Sequence, residues 1–160
     1  MRLSSHSADR TRALAAALGR ALASETDGLV VALVGPLGAG KTEWVRGLAA
    51  GLGIDPAHVA SPTFMIACDY PGPRSLTHMD LYRLRSEAEL EATGFLDLLA
   101  PGTLLAIEWA DRLPEALPAD RLEVRIRRGE DPEMREFDVA ASGPVSEAAA
   151  RRWQAALSGS

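Results

Sequence analysis

The feature that most constrains this chain is a glycine-rich loop set between an apolar run and a helical pattern. Leu29-Val30-Val31-Ala32-Leu33-Val34 is continuously apolar and β-branched in its middle. Such a run reads as a strand buried on both faces, as in a parallel sheet. Gly35-Pro36-Leu37-Gly38-Ala39-Gly40-Lys41-Thr42 follows directly and matches G-x-x-x-x-G-K-[ST]. Residues 41–52 then place Trp44, Val45, Leu48 and Leu52 on one helical face. Strand, loop and helix in that order are the context this motif requires.

Each part of the loop has a physical role. Glycine lets the backbone wrap around phosphate groups with its N–H groups pointing inward. A helix beginning at Lys41 adds its positive end. In this motif the lysine reaches the β- and γ-phosphates, and the hydroxyl of the following residue ligates Mg²⁺. Of the 17 basic residues, Lys41 alone is a lysine. A chain that uses arginine everywhere else keeps lysine where a compact, point-like ammonium is needed.

The rest of the chain reads as alternating helices and strands. Residues 7–25 carry the stripe Leu14, Leu18, Ala21, Leu22, with Ser7 as cap. Residues 64–68 and 75–79 read as short strands around the Pro71-Gly72-Pro73 turn. Ser86-Glu87-Ala88-Glu89 opens a short helix as a capping box, and Gly94 closes it. Leu104-Leu105-Ala106-Ile107 is a second buried strand. Residues 122–127 and 135–141 alternate as strands, and 145–157 reads as a terminal helix. The expected architecture is α/β: one P-loop NTPase-like three-layer domain over residues 1–160, with a mixed, mainly parallel central sheet.

Composition excludes other classes. No apolar run approaches the ~20 residues of a membrane span, and Met1 to His6 lack an apolar signal core. The one cysteine, Cys68, makes no internal disulfide. A cytoplasmic chain is expected. The net charge of −5 does not favour gripping a polyanion such as RNA directly.

A phosphate loop needs a further acid for the metal and a group that orients the attacking water. Such acids stand at the carboxyl ends of neighbouring buried strands. Glu108 ends the run 104–107, and Asp80 follows Leu76-Thr77-His78-Met79. Asp80 also reads as a structural turn or an ion-pair partner of Arg83. Thr63, in the proline-fixed Ser61-Pro62-Thr63 segment, stands where a switch threonine senses Mg²⁺ and the γ-phosphate; an ordinary loop residue reads the same way. His78 is read as structural, and Trp109 as packing or as a stacking surface for a base or partner. A guanine-specific [NT]-K-x-D motif is impossible without a second lysine, and no LSGGQ-type signature is present.

The phosphate loop, then Ser61-Pro62-Thr63-Phe64, then His78-Met79-Asp80-Leu81-Tyr82-Arg83-Leu84, then Ile107-Glu108-Trp109-Ala110-Asp111 resemble, in order and spacing, the TsaE (YjeE) family. These are the bacterial ATPases of tRNA threonylcarbamoyladenosine (t6A) biosynthesis, and the resemblance spans about residues 7–140. It implies ATP binding by residues 37–42, Mg²⁺ at Thr42 and Glu108, a switch role for Thr63, and Asp80 near the γ-phosphate or its water. With Lys41, Asp80 and Glu108 form the expected catalytic set. The family's S-x-x-x-T maps to Ser7–Thr11, which places Thr11 near the adenine. Its late glycine-arginine pair maps to Met134-Arg135, where the glycine is absent. Expected contacts of ATP are therefore Thr11, Gly35, Leu37, Gly38, Ala39, Gly40, Lys41, Thr42, Thr63 and Arg135. The implied partners are TsaB and TsaD, with tRNA met only through them and no membrane. A competing reading is a P-loop small-molecule kinase, with Arg125, Arg127 and Arg128 as an arginine lid. A third is a nucleotide-gated interaction module.

Overall fold

The apolar run at Leu29–Val34 forms strand β2, and all six of its residues are buried. Its side chains alternate between two cores. Leu29, Val31 and Leu33 belong to one, Val30, Ala32 and Val34 to the other. A strand that is apolar on both faces needs helices on both sides. The computed structural model, which describes residues 1–62 and 66–159, supplies them. Helices α1 (Ala8–Leu22), α2 (Lys41–Gly51) and α5 (Pro144–Ser158) cover the first face, while α3 (Glu87–Ala92) and α4 (Phe95–Leu98) cover the second.

The other strands are β1 (Arg2–Ser5), β3 (Ala67–Tyr70), β4 (Leu76–Asp80), β5 (Leu104–Glu108), β6 (Leu122–Arg128) and β7 (Arg135–Ala141). They form one sheet in the order β1-β7-β6-β2-β5-β4-β3. Parallel pairing occupies the centre, where β2 lies between β5 and β6 and β5 pairs β4. The edges are antiparallel: β3 on β4, β7 on β6, and β1 on β7. This is the expected α/β three-layer architecture with a mixed sheet. No helix among the described residues is long and apolar enough to cross a membrane.

Several boundaries differ from the sequence reading, each for a local reason. Strand β1 was not anticipated, because Arg-Leu-Ser-Ser carries no apolar alternation and is a strand through its pairing with β7. Helix α1 starts at its Ser7 cap as expected but stops at Leu22, not 25. There the buried Arg74 guanidinium donates to the carbonyls of Leu22 and Asp27, ending the helix and tying it to the β3–β4 turn. Strand β3 runs over 67–70 instead of 64–68, of which residues 64 and 65 lie outside the described residues. Strand β4 includes Asp80, so that carboxylate belongs to the strand itself. Helix α4 was also missed; Gly94, with φ of 83°, ends α3 and caps α4.

Helix α2 lies against α1 at backbone distance. A Cβ on Gly51 would meet the Ala16 carbonyl oxygen at 2.2 Å, so only glycine permits that approach. Trp153 docks α5 on the same layer: its Nε1–H donates to the Leu14 carbonyl at 2.9 Å, and its ring meets Trp44 edge-on at 5.9 Å. The start of α5 is held by Asp120, whose carboxylate accepts from Val145 N–H at 2.8 Å and Ser146 N–H at 3.0 Å. Burial raises the Asp120 pKa, but the Ser146 hydroxyl and these N–H groups outweigh it and hold it below the usual carboxylate value. A depressed pKa stabilises the fold above the unfolded value, near pH 4, and that gain is lost as pH falls through the folded value. Asp120→Ala is expected to cost about 1 kcal/mol in urea unfolding at pH 7. The gap from wild type should close on acidification below pH ~4.

Candidate phosphate-binding site

The site stands at the carboxyl ends of β2 and β5, where crossover helices leave a crevice. Beyond β2 the chain turns through residues 35–40 and enters α2 at Lys41. Gly40, with φ of 103°, takes a left-handed conformation, and a Cβ there would meet nothing within 4 Å. The loop thus presents open space in front of the α2 N-terminus, whose cap has no side-chain hydrogen bond. A helix start of this kind is a ready anion site.

Lys41 is buried, and its Nζ donates to the carbonyls of Gly35 at 2.6 Å and Pro36 at 2.9 Å. The ammonium also lies 3.9 Å from the Trp109 ring centroid. Burial lowers its pKa, opposed by the charges of Glu108, Asp111 and Asp80. Trp109 is the one non-glycine at positive φ (57°) among the described residues. That conformation costs about 1–3 kcal/mol and concentrates at functional sites. It turns the ring over Lys41 and against Tyr82, whose centroid is 4.9 Å away.

Thr42 Oγ1 donates to both carboxylate oxygens of Glu108, at 3.0 and 3.2 Å. The register of β4 and β5 sets Asp80 opposite Glu108. Asp80 Oδ1 accepts from Tyr82 N–H at 2.8 Å, and Oδ2 accepts from the Ser61 hydroxyl at 3.4 Å. Burial raises the Asp80 pKa, the Tyr82 N–H lowers it, and the Glu108 charge raises it further, for a net rise. Lys41, Thr42, Ser61, Asp80, Glu108 and Trp109 line one cleft with the loop.

These donors suit Mg²⁺. Among the described residues no cluster of three or more His, Cys, Asp or Glu forms a self-sufficient cage. A hydroxyl and a carboxylate side by side are the protein's usual share where phosphate oxygens and water complete an octahedron.

The other expected residues fall in different places. Gly35, Leu37, Gly38 and Ala39 form the loop itself. Arg135 braces that loop from behind, its Nε–H donating to Ala39 O at 3.0 Å and its terminal N–H to Gly38 O at 3.4 Å. Arg128 does the same to Leu37 O at 3.0 Å. Thr11 is buried on α1, with its hydroxyl 2.7 Å from that of Ser5, and is not among the cleft's lining residues. Thr63 lies outside the described residues. Of the three arginines read as a lid, Arg125 pairs with Glu123 and Arg127 with Asp138 along the sheet, while Arg128 lies on the loop. Sequence reasoning left His78 as structural and passed over Tyr70, yet His78 is bonded directly to Glu108. The available signal was a lone imidazole inside an otherwise buried strand, two residues before an acid.

Fold and cleft together define a P-loop NTPase-like α/β domain. Comparison with known proteins narrows this. The family model "Threonylcarbamoyl adenosine biosynthesis protein TsaE" matches residues 5–137. The chain belongs to the TsaE family, and its general role is therefore in tRNA threonylcarbamoyladenosine biosynthesis. It is 39% identical over 127 residues to the TsaE of Treponema pallidum, covering 79% of this chain and 91% of that one. It is 42% identical over 117 residues to TsaE of Bacillus subtilis, covering 72% of each. The crystal structure of Bacillus subtilis YdiB superposes with a TM-score of 0.74 at 31% identity, covering 97% of this chain and 94% of that one.

Proposed function

We propose that this chain is a magnesium-dependent ATPase that serves t6A modification by acting on a TsaB–TsaD pair in the cytoplasm, and that it meets tRNA only through that pair. The observation that carries the reading is the Thr42–Glu108 contact of 3.0 Å beside Lys41, in front of the α2 N-terminus. One hydroxyl, one carboxylate and one ammonium converge where a triphosphate would end. Bound Mg²⁺ would neutralise charge on the β- and γ-phosphate oxygens.

The chain's own residues supply the rest. Loop and helix N–H groups hold the phosphates, and Lys41 offers a point charge to the bond that breaks. Asp80, across from Glu108, accepts a hydrogen bond from the water that attacks the γ-phosphorus. The acidic balance of the chain supports indirect contact with tRNA.

The test is ATP hydrolysis by the purified chain, alone and with TsaB–TsaD. Slow turnover alone should rise on adding the pair, by as much as ~10³-fold if the pair completes the site as activators of P-loop GTPases do. No association with TsaB–TsaD, or γ-phosphate recovered on a small metabolite, overturns the reading.

A further inference from the structure

Glu108 has a second buried polar group behind it. His78 is fully buried on β4, on the sheet face that α2 covers. Its Nε2–H donates to Glu108 Oε2 at 2.6 Å. On the far side of the ring, the Tyr70 hydroxyl lies 3.3 Å from Nδ1 and 3.4 Å from the Ala60 carbonyl, so both compete for its one proton. The β3–β4 register makes this possible: Cys68 faces His78 and Tyr70 faces Leu76, so Tyr70 and His78 are diagonal neighbours on one face. A continuous chain thus runs Thr42–Glu108–His78–Tyr70–Ala60, from the first turn of α2 to the segment carrying Ser61.

Stability alone does not account for this chain. Apolar residues of similar volume in place of a buried ionic network are often neutral or stabilising. A buried polar network specifies geometry when its members are partnered. Here Glu108 is held from two sides, and each inner member links two neighbours. The Ala60 end is independently anchored, since Arg46 on α2 donates to the adjacent Val59 carbonyl at 3.1 Å.

We propose that His78 and Tyr70 are positioning residues for the nucleotide–metal site: they hold the Glu108 carboxylate toward Thr42 and tie its orientation to the backbone at Ala60. This rests on the ATPase reading above. The coupling is reciprocal. A ligand that fixes Glu108 restrains Ala60, and a partner seated on residues 60–62 biases Glu108.

The experiment compares wild type, Tyr70→Phe and His78→Leu. Tyr70→Phe deletes one hydroxyl and keeps the ring. Two readouts are taken: the Mg²⁺ concentration for half-maximal hydrolysis, and amide hydrogen exchange of peptides containing Ala60 and Ser61, with and without Mg²⁺ and a non-hydrolysable ATP analogue. Wild type is expected to gain protection at Ala60–Ser61 with ligand. Both variants should lose that gain and need more Mg²⁺, with an effect of ~10–100-fold on metal affinity or turnover for His78→Leu. If His78→Leu fails to fold, Tyr70→Phe carries the test. A wild type that responds to ligand while Tyr70→Phe matches it in both readouts overturns this proposal alone. A wild type blind to Mg²⁺ and nucleotide in both readouts overturns the ATPase reading and this proposal with it.

Discussion

Lys41→Met is expected to cut ATP turnover sharply and to leave the fold standing. Among the described residues the ammonium's contacts are the carbonyls of Gly35 and Pro36 in the loop and the Trp109 ring. Burial lowers its pKa below the unfolded value, so below the folded pKa the charged form costs the folded chain stability. Methionine removes that cost at neutral pH, and Tm should hold or rise slightly. Turnover should fall ~10²–10³-fold, the usual effect of deleting one preorganised charge at a transferring group. Lys41→Arg should fail too, because a planar fork does not fit between two carbonyls and a ring face. Circular dichroism, thermal melting and steady-state hydrolysis measure these effects. Hydrolysis retained in Lys41→Met would remove the lysine from the site.

Glu108→Gln is expected to uncouple nucleotide binding from Mg²⁺. The substitution nearly preserves volume but replaces an anion that accepts on both oxygens with an amide that accepts on one. With its oxygen toward His78 the amide still accepts from Nε2–H, but its nitrogen then meets Thr42, whose hydroxyl must turn to accept instead of donate. Replacing the charge-assisted bond from His78 by a neutral one costs about 1 kcal/mol, to be read from urea unfolding. Turnover should drop ~10²–10³-fold, and the Mg²⁺ enhancement of ATP affinity in calorimetry should disappear. Asp80→Asn gives the contrast. Its carboxylate bonds Tyr82 N–H and Ser61 and stands across from Glu108, outside the Thr42 contact. It should lose turnover and keep Mg²⁺-dependent affinity. Undiminished Mg²⁺ enhancement in Glu108→Gln would transfer the metal role elsewhere.

Most of the framework was legible in the chain itself. The run Leu29–Val34 announced a central strand, and the motif from Gly35 to Thr42 announced a loop and helix start, because both signals are local. Periodicity and capping likewise located α1, α3 and α5. Neighbours in space were not legible. Strand β1 exists because β7 offers it a ladder, and α1 ends where Arg74, far along the chain, takes the carbonyl of its last residue, Leu22. Arg135 was assigned to nucleotide from its place in a motif, but the fold sets its guanidinium on the loop's carbonyls.

By itself, then, the sequence determined the strand–loop–helix unit, the single lysine at its turn, the acids at two strand ends and the resemblance to one family. These rest on backbone conformation and hydrophobic period, which neighbouring residues dictate. Only the tertiary structure decided that His78 stands behind Glu108 and that Trp109 turns over Lys41. Those contacts join residues 30 to 68 positions apart in the chain. Parallel register and the pleat bring them to one face of the sheet, and no local pattern encodes that register.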